Sequence, residues 1–317
     1  MNALLNVIRA ELYKALRKRR TYLLAFLLWV LLPVLVLFVG RILQTNLTGS
    51  FVDESGTVDT VVQQIASPFG ISRIGLMLPA LSSPSFILII ISLLAALLIG
   101  EERTQNMWKT TLTAQPNRLL VLSGKLIVAM LLYGLLLLGA YLSGVLFGGL
   151  GRLFLDTTFG GAWGGLFGLY LLQWLFGLAA TLFAFLMIFL LRNIALGIVT
   201  VFFLPTLLEG LYTIYRTTVG FQPLNRLNAI FQALRLRQTL EDLPRFFFTR
   251  NLYAPAREPL AEVVRAIGGD PGSGDMGPLT DILGGNITLQ HAALVMAGYA
   301  LLFGGVLVWL FMRRDVS

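Results

Sequence analysis

The segment GEERTQNMWKTTLTAQPNRLLVLSGK, from Gly100 to Lys125, lies between two long apolar runs of the chain. It combines two carboxylates and four basic side chains with a tryptophan and a proline. If the flanking runs cross a membrane, this segment is the longest polar connection on one side of it. Such a connection is either a passive loop or the contact through which another protein moves the spans.

The composition indicates a protein embedded in a membrane. Of the 317 residues, 56% are hydrophobic and 13% are charged, whereas roughly a quarter of the residues of a soluble domain are charged. The charge-free runs are too long and too numerous for one soluble core to bury. The chain has no cysteine, which excludes disulfide bonds and cysteine-based metal sites. Its net charge of +8 reflects topology and does not imply nucleic acid as a partner.

We predict an all-α polytopic membrane fold with six transmembrane helices. A helix needs about 20 apolar residues to cross the hydrocarbon core, and the run that stops at Glu209 continues apolar to Tyr215. A cytoplasmic loop over 101–125 follows the second span, and a large helical external loop over 216–288, with a helix from Pro259 to Ile267, precedes the last. The predicted spans cover residues 21–40, 80–100, 126–150, 164–191, 194–215 and 289–312.

Lysine and arginine give the orientation, because positive residues in short loops remain in the cytoplasm. Basic residues concentrate before the first span, in the 101–125 loop, at Arg192 and after the last span, and every lysine falls in these places. The opposite short connections, including a predicted external loop over 41–82, carry only Arg41, Arg73 and Arg152. Both termini and the 101–125 loop are therefore predicted to be cytoplasmic.

Residues 1–20 are predicted to form an amphipathic cytoplasmic helix before the transmembrane domain of residues 21–317. Leu4, Leu5, Ile8 and Leu12 recur at helical spacing, which gives the helix one apolar face. That face either lies in the headgroup region as an anchor or forms half of a docking surface for a cytoplasmic partner. The polar residues assigned to this interface helix are Glu11, Lys14, Arg17 and Lys18.

Two carboxylates, Glu101 and Glu102, follow the carbonyl end of the second predicted span. The helix macrodipole disfavours negative charge at that end. These carboxylates therefore require a compensating cation, from Arg103, from Lys109 or from another chain. Trp108, in a short helix predicted after them, suits a membrane interface.

Three glycine pairs and one glutamate stand out within the predicted spans. Gly144-x-x-x-Gly148, Gly161-x-x-x-Gly165 and Gly164-x-x-x-Gly168 allow helix backbones to approach closely, either for ordinary packing or for a seam that slides during transport. Glu209 lies about 24 Å along its helix from Asn193 at roughly 1.5 Å per residue, close to the outer boundary of the core. We expect it to be an outer-vestibule residue rather than a proton relay.

The sequence offers no motif for catalysis or nucleotide binding. Gly124-Lys125 lacks the other residues of a P-loop, and Gly272-x-Gly274-x-x-Gly277 follows no predicted strand. His291 is the only histidine and is expected to form hydrogen bonds at the interface. We therefore predict that the chain is not an enzyme and that it holds no cofactor and no metal.

The 101–125 loop resembles that of the permease subunits of type-2 ABC exporters. In that family a span ends in Glu. It is followed by Gly-Thr, by a run like Leu-x-x-Pro-x-Ser-Arg and by a Lys that opens the next span. Gln105-Asn106 replaces the Gly-Thr pair here, and Asn117 replaces the Ser. The basic amphipathic arm, the six spans and the large external segment agree with the resemblance. The matching residues are Glu101 or Glu102, Leu112, Pro116, Arg118 and Lys125.

The resemblance implies a mechanism and a set of partners. Two permease subunits would form the pathway in the lipid of a prokaryotic cytoplasmic membrane, and two separate ATPase subunits holding ATP and magnesium would dock beneath them. The loop would be the coupling helix, with the N-terminal helix beside it. The ATPase-coupling residues would be Glu101, Glu102, Arg103, Trp108, Lys109, Pro116, Arg118 and Lys125.

Two other functional classes remain open from the sequence. A secondary transporter driven by an ion gradient usually shows charges at the midplane and repeated broken spans, and no convincing repeat is visible. A membrane-embedded enzyme would need a nucleophile–base pair, which is also not visible. Spans rich in Leu, Phe and Gly fit a hydrophobic or amphipathic cargo such as a lipid, a peptide or a drug.

Overall fold

The computed structural model describes residues 2–47, 57–77, 85–100, 117–191, 193–219, 242–266 and 287–313. All regular secondary structure in these ranges is helical, as predicted. The π-helical turn Leu27–Leu31 joins α2 to α3, the π-helical turn Ala96–Gly100 extends α6, and the short 3-10 helix Leu243–Phe246 precedes α10. The α-helices are α1 (Asn2–Arg17), α2 (Arg19–Phe26), α3 (Leu32–Leu47), α4 (Thr57–Ala66), α5 (Pro68–Met77), α6 (Phe86–Ala95), α7 (Arg118–Gly151), α8 (Trp163–Leu191), α9 (Ile194–Val219), α10 (Phe248–Leu252), α11 (Ala254–Ala266) and α12 (Leu289–Arg313).

Within the described ranges, five helical segments are long and apolar enough to cross a membrane, and they coincide with five of the six predicted spans. The apolar helix at the remaining span, Phe86–Gly100, is shorter. It extends about 22 Å at roughly 1.5 Å per residue, which is less than the ~30 Å thickness of the hydrocarbon core. The five long segments are Arg19–Thr45, Arg118–Gly151, Trp163–Leu191, Ile194–Tyr215 and Leu289–Arg313.

The helices α5 and α6 lie one after the other along α7. Pro68 lies against Gly148 and Gly75 lies against Ala140, so α5 runs antiparallel to the Gly151 end of α7. The π-turn after α6 is hydrogen-bonded to Lys125, near the Arg118 end of the same helix. Together α5 and α6 therefore contact α7 near both of its ends.

Inside the predicted external loop over 41–82, residues Pro68–Met77 form α5, most of whose residues are buried in the bundle. A Cβ atom on Gly144 would lie 2.5 Å from the backbone nitrogen of Ser72, and one on Gly148 would lie 2.4 Å from Cα of Pro68. Close backbone approach at this glycine pair is thus confirmed, with α5 as the partner. Because α5 has 10 residues, it is too short to cross the hydrocarbon core of a membrane by itself.

The glycines at the start of α8 behave differently from those of α7. A Cβ atom on Gly164, Gly165 or Gly168 would meet no atom within 4 Å. The predicted close packing of these glycines is therefore not seen in the described part of the chain. Instead, they leave an open strip on the surface of α8.

Residues 242–266, inside the predicted external loop, fold against the spans. The ring of Phe248 lies 5.6 Å from that of Phe183 in α8 and 6.0 Å from that of Phe303 in α12. Tyr253 forms a side-chain hydrogen bond with Ser85, and burial raises the pKa of Tyr253 above its ordinary value because its hydroxyl is removed from water. The α10–α11 segment is therefore part of the packed bundle rather than a surface loop.

The helix predicted from Pro259 to Ile267 begins earlier in the structure. It starts at Ala254 and contains Pro259 in its interior. Pro255 occupies its first turn, where a backbone N–H has no intrahelical acceptor to lose. The helix was therefore predicted to start at Pro259, whereas Pro255 is the proline of its first turn.

Candidate functional site

At the Arg118 end of the bundle, α1, α6 and α7 meet around a buried ion pair. The Nζ atom of Lys125 lies 2.9 Å from Oε2 of Glu11, and the two side chains are 0% and 4% exposed. The same ammonium donates a hydrogen bond of 3.0 Å to the carbonyl oxygen of Leu98. A charge away from water requires a counter-charge and hydrogen bonds, and Lys125 has both. We call this cluster, completed by Lys18 and the π-turn after α6, the junction.

A second lysine reaches the same helix end. Lys18, between α1 and α2, donates a hydrogen bond of 2.9 Å to the carbonyl oxygen of Leu97. The last carbonyls of a helix lack intrahelical donors and carry the negative end of its dipole, so two ammonium groups stabilise this end. The predicted cation for Glu101 and Glu102 was Arg103, Lys109 or a residue of another chain, and all four of these named residues lie outside the described ranges.

The helix α1 packs onto α7 on one face and exposes the other. Val7 fills the space beside Gly124, where a Cβ atom would lie 2.6 Å from its Cγ1, and Ala15 is fully buried. Tyr13 and Leu16 remain exposed. The apolar residues of α1 are thus divided between an internal contact and a surface, and that surface suits either a headgroup layer or a partner.

The four polar residues assigned to α1 have different environments. Glu11 pairs with two ammonium groups, the buried one of Lys125 and that of the partly exposed Lys14 at 3.1 Å. Arg17 lies over the exposed ring of Tyr13 at 4.5 Å. Glu11 is the only acidic residue of the N-terminal arm, and this was the available signal for an internal role.

The structure describes two of the residues assigned to ATPase coupling. Arg118 opens α7 and donates a hydrogen bond of 3.4 Å to the carbonyl of Met312 near the end of α12. Lys125 is buried in the junction, so its side chain contacts α1 and α6 rather than the surface. Asn117 caps α7 by accepting from the N–H of Leu120 at 3.3 Å, as a serine would. The remaining assigned residues lie outside the described ranges: Glu101, Glu102, Arg103, Trp108, Lys109 and Pro116.

Glu209 connects a span to the segment predicted to be external. Its carboxylate accepts hydrogen bonds from the backbone N–H of Thr249 at 3.0 Å and from the hydroxyl of the same residue. Thr249 lies at the start of α10, where unpaired backbone N–H groups favour an anion. Thr249 could not be identified from the sequence as the partner of Glu209, because forty residues separate the two.

An aromatic cavity of about 540 Å³ opens beside Glu209. It lies between α8, α9, α12 and the segment around α10, and its size is in the range of small-molecule sites. Glu209 supplies the only carboxylate among the described lining residues, which are mostly apolar and aromatic. The rings that line the cavity belong to Phe183, Tyr212, Phe246, Phe247, Phe248, Tyr299 and Phe303.

Within the described residues, no group of three His, Cys, Asp or Glu side chains could hold a metal ion. The Nε2 atom of His291 lies 3.0 Å from the carbonyl oxygen of Arg245, and its ring lies 5.4 Å from that of Phe246. A bond from the ring nitrogen to a carbonyl requires His291 to be the donor.

The sequence model of one protein family, described as ABC-2 family transporter protein, matches residues 7–208. The match covers more than half of the 317-residue chain. It extends from α1 through α8 into α9 and includes the junction and the 101–125 loop. No curated protein and no solved structure matches the chain.

Proposed function

The chain belongs to the ABC-2 family of transporter proteins, and from this membership we propose that it is the permease subunit of an ATP-driven exporter. Two permease subunits form the substrate pathway in the cytoplasmic membrane of a prokaryote. Separate ATPase subunits supply the free energy, since the sequence contains no P-loop. The chain itself performs no catalysis.

The observation that carries the proposal is the junction. The 101–125 loop leaves the π-turn after α6 and returns into α7, and the two sides are bonded together through Lys125 and the carbonyl of Leu98. Glu11 attaches α1 to the same lysine. A force on the loop would therefore move the end of α6, the start of α7 and α1 as one body, as transmission of an ATPase movement requires.

The junction also separates internal residues from docking residues. Glu11 and Lys125 are buried, so we assign them to the connection between helices rather than to contact with the ATPase. Arg17 and Lys14, on the open side of α1, together with the charged residues of the loop, form the docking surface. Charges of both signs on such a surface give specificity for one partner. The loop residues concerned are Glu101, Glu102, Arg103, Trp108, Lys109, Pro116 and Arg118.

Co-purification tests this proposal directly. The chain is co-expressed with a Walker-motif ATPase encoded beside it, and Glu101, Glu102 and Arg103 are replaced together by Gln. We expect the ATPase to co-purify with the unsubstituted chain and to be lost from the triple variant, while membrane insertion is unchanged. A control variant, Arg250→Gln, carries its change in the segment around α10, away from the junction, and should retain the ATPase. Equal recovery with the triple variant would contradict the docking role of the loop.

A further inference from the structure

A second cavity, of about 870 Å³, lies at the Gly151 end of the bundle and is separate from the aromatic cavity. Its walls come from α5, the first half of α8, α11 and the residues that open α12. We call it the Arg73 cavity after the one buried cation among its described lining residues. Its volume is in the range of sites that take a small molecule or the headgroup of a lipid.

The α8 wall of the Arg73 cavity is an open apolar groove. Gly165 and Gly168 line it, and a Cβ atom at either position would meet nothing within 4 Å. Leu169 and Leu172 continue the wall along α8, about 10 Å beyond Gly165 at roughly 1.5 Å per residue. The groove therefore has room for an acyl chain beside α8.

Arg73 points to a ligand with an acceptor group. The residue is 3% exposed, and its Nη atoms reach Gln64 and, at 3.6 Å, Glu262. Its Nε–H is buried and has no hydrogen-bond partner in the described structure. Buried donors are rarely left without an acceptor. An oxygen from a molecule in the cavity would supply the acceptor that the described residues do not provide.

The rim of the cavity carries the opposite charge. Glu258 and Glu262 lie one turn apart on α11, and both line the cavity. The side chain of Glu262 is 66% exposed and forms an ion pair with Arg73. Glu258 is exposed and makes no ion pair with a described residue. The site thus combines a buried cation with an exposed carboxylate at its mouth.

We propose that the Arg73 cavity binds a zwitterionic phospholipid with a phosphoethanolamine headgroup. A phosphate oxygen accepts from the Nε–H of Arg73, the ammonium lies beside Glu258, and one acyl chain follows the groove at Gly165 and Gly168. A purely anionic headgroup would satisfy Arg73 but would meet the carboxylates without a compensating charge. The proposal concerns binding alone and stands whether or not an ATPase drives the chain.

Lipid binding is measured by native mass spectrometry of the full chain, delipidated in detergent and titrated with phosphatidylethanolamine or with phosphatidylglycerol of the same acyl chains. We expect phosphatidylethanolamine to bind at least about tenfold more tightly, a difference of about 1.4 kcal/mol. Glu258→Gln should remove this preference, because the ammonium loses its carboxylate. Equal affinity of the unsubstituted chain for the two lipids would overturn the zwitterionic site.

A groove-filling variant locates the site. Gly168→Leu adds a Cβ that meets no atom within 4 Å and places its side chain in the cavity, so it should weaken phosphatidylethanolamine binding by about tenfold or more. Gly164→Leu is the matched control, because its Cβ also meets open space while the residue does not line the cavity. Both changes favour helix formation, so both variants should fold. Unchanged binding in Gly168→Leu, or equal weakening in both variants, would overturn the location.

Discussion

The buried pair between Lys125 and Glu11 makes a quantitative prediction for the substitution Lys125→Met. Methionine keeps most of the volume of lysine but removes the ammonium that lies 2.9 Å from Glu11 and 3.0 Å from the carbonyl of Leu98. Removing one partner of a buried ion pair costs about 3–5 kcal/mol, because the other charge stays buried without compensation. Lys14 remains 3.1 Å from Glu11, so we expect the lower end of that range, about 3 kcal/mol.

The matched control is Lys14, the second lysine that pairs with Glu11. Lys14 is 39% exposed, and pairs of this kind contribute about 0–1 kcal/mol because water and salt screen them. Lys14→Met should therefore change the free energy of unfolding by less than about 1 kcal/mol. Both variants are unfolded by denaturant in mixed micelles and followed by tryptophan fluorescence. The double variant Glu11→Gln with Lys125→Met should be no less stable than Lys125→Met alone, because the stranded carboxylate has been removed.

Two results would refute this reasoning. If Lys125→Met and Lys14→Met lower stability equally, burial does not distinguish the two lysines. If the losses from Glu11→Gln and Lys125→Met add in the double variant, the two residues do not act as a pair.

The packing and the outer hydrogen bonds give two further predictions. Gly144→Val should destabilise the protein by about 1–3 kcal/mol through overpacking, since its Cβ would lie 2.5 Å from the backbone of Ser72. Unfolding in mixed micelles measures the loss. Gly164→Val, with open space at its Cβ, should show no comparable loss, and equal losses would contradict the α5–α7 contact. Thr249→Val removes the hydroxyl that bonds the carboxylate of Glu209 and should cost about 1–3 kcal/mol in the same assay. Thr213→Val, whose exposed hydroxyl donates to the backbone carbonyl of Glu209 one turn earlier, should cost less, and a reversed order would contradict the role assigned to Glu209.

The long spans could be predicted because hydropathy is a property of the chain itself. Each of the five long helices corresponds to an apolar run of the sequence, which can be recognised without knowing which other helices it contacts. The burial of α5 could not be predicted in the same way. This helix has 10 residues and contains Arg73, and the close approach at Gly144 and Gly148 explains why it is buried.

The candidate site was predictable in residue type but not in pairing. The sequence indicated that the end of the second span needed a cation, but it did not indicate Lys18 or Lys125, which come from distant positions. Glu11 was placed on an interface helix, and only the packing of α1 on α7 shows that its carboxylate is buried. Such assignments depend on tertiary contacts, which periodicity and charge do not specify.

ATP hydrolysis in reconstituted vesicles is the measurement that decides whether a separate ATPase drives this chain through the 101–125 loop. The hydrolysis rate of the ATPase is measured with vesicles that contain the chain, with vesicles that contain its Glu101, Glu102 and Arg103 triple variant, and with empty vesicles. The account predicts stimulation by the unsubstituted chain only. Equal rates in all three preparations, or transport that follows an imposed ion gradient without ATP, would contradict it.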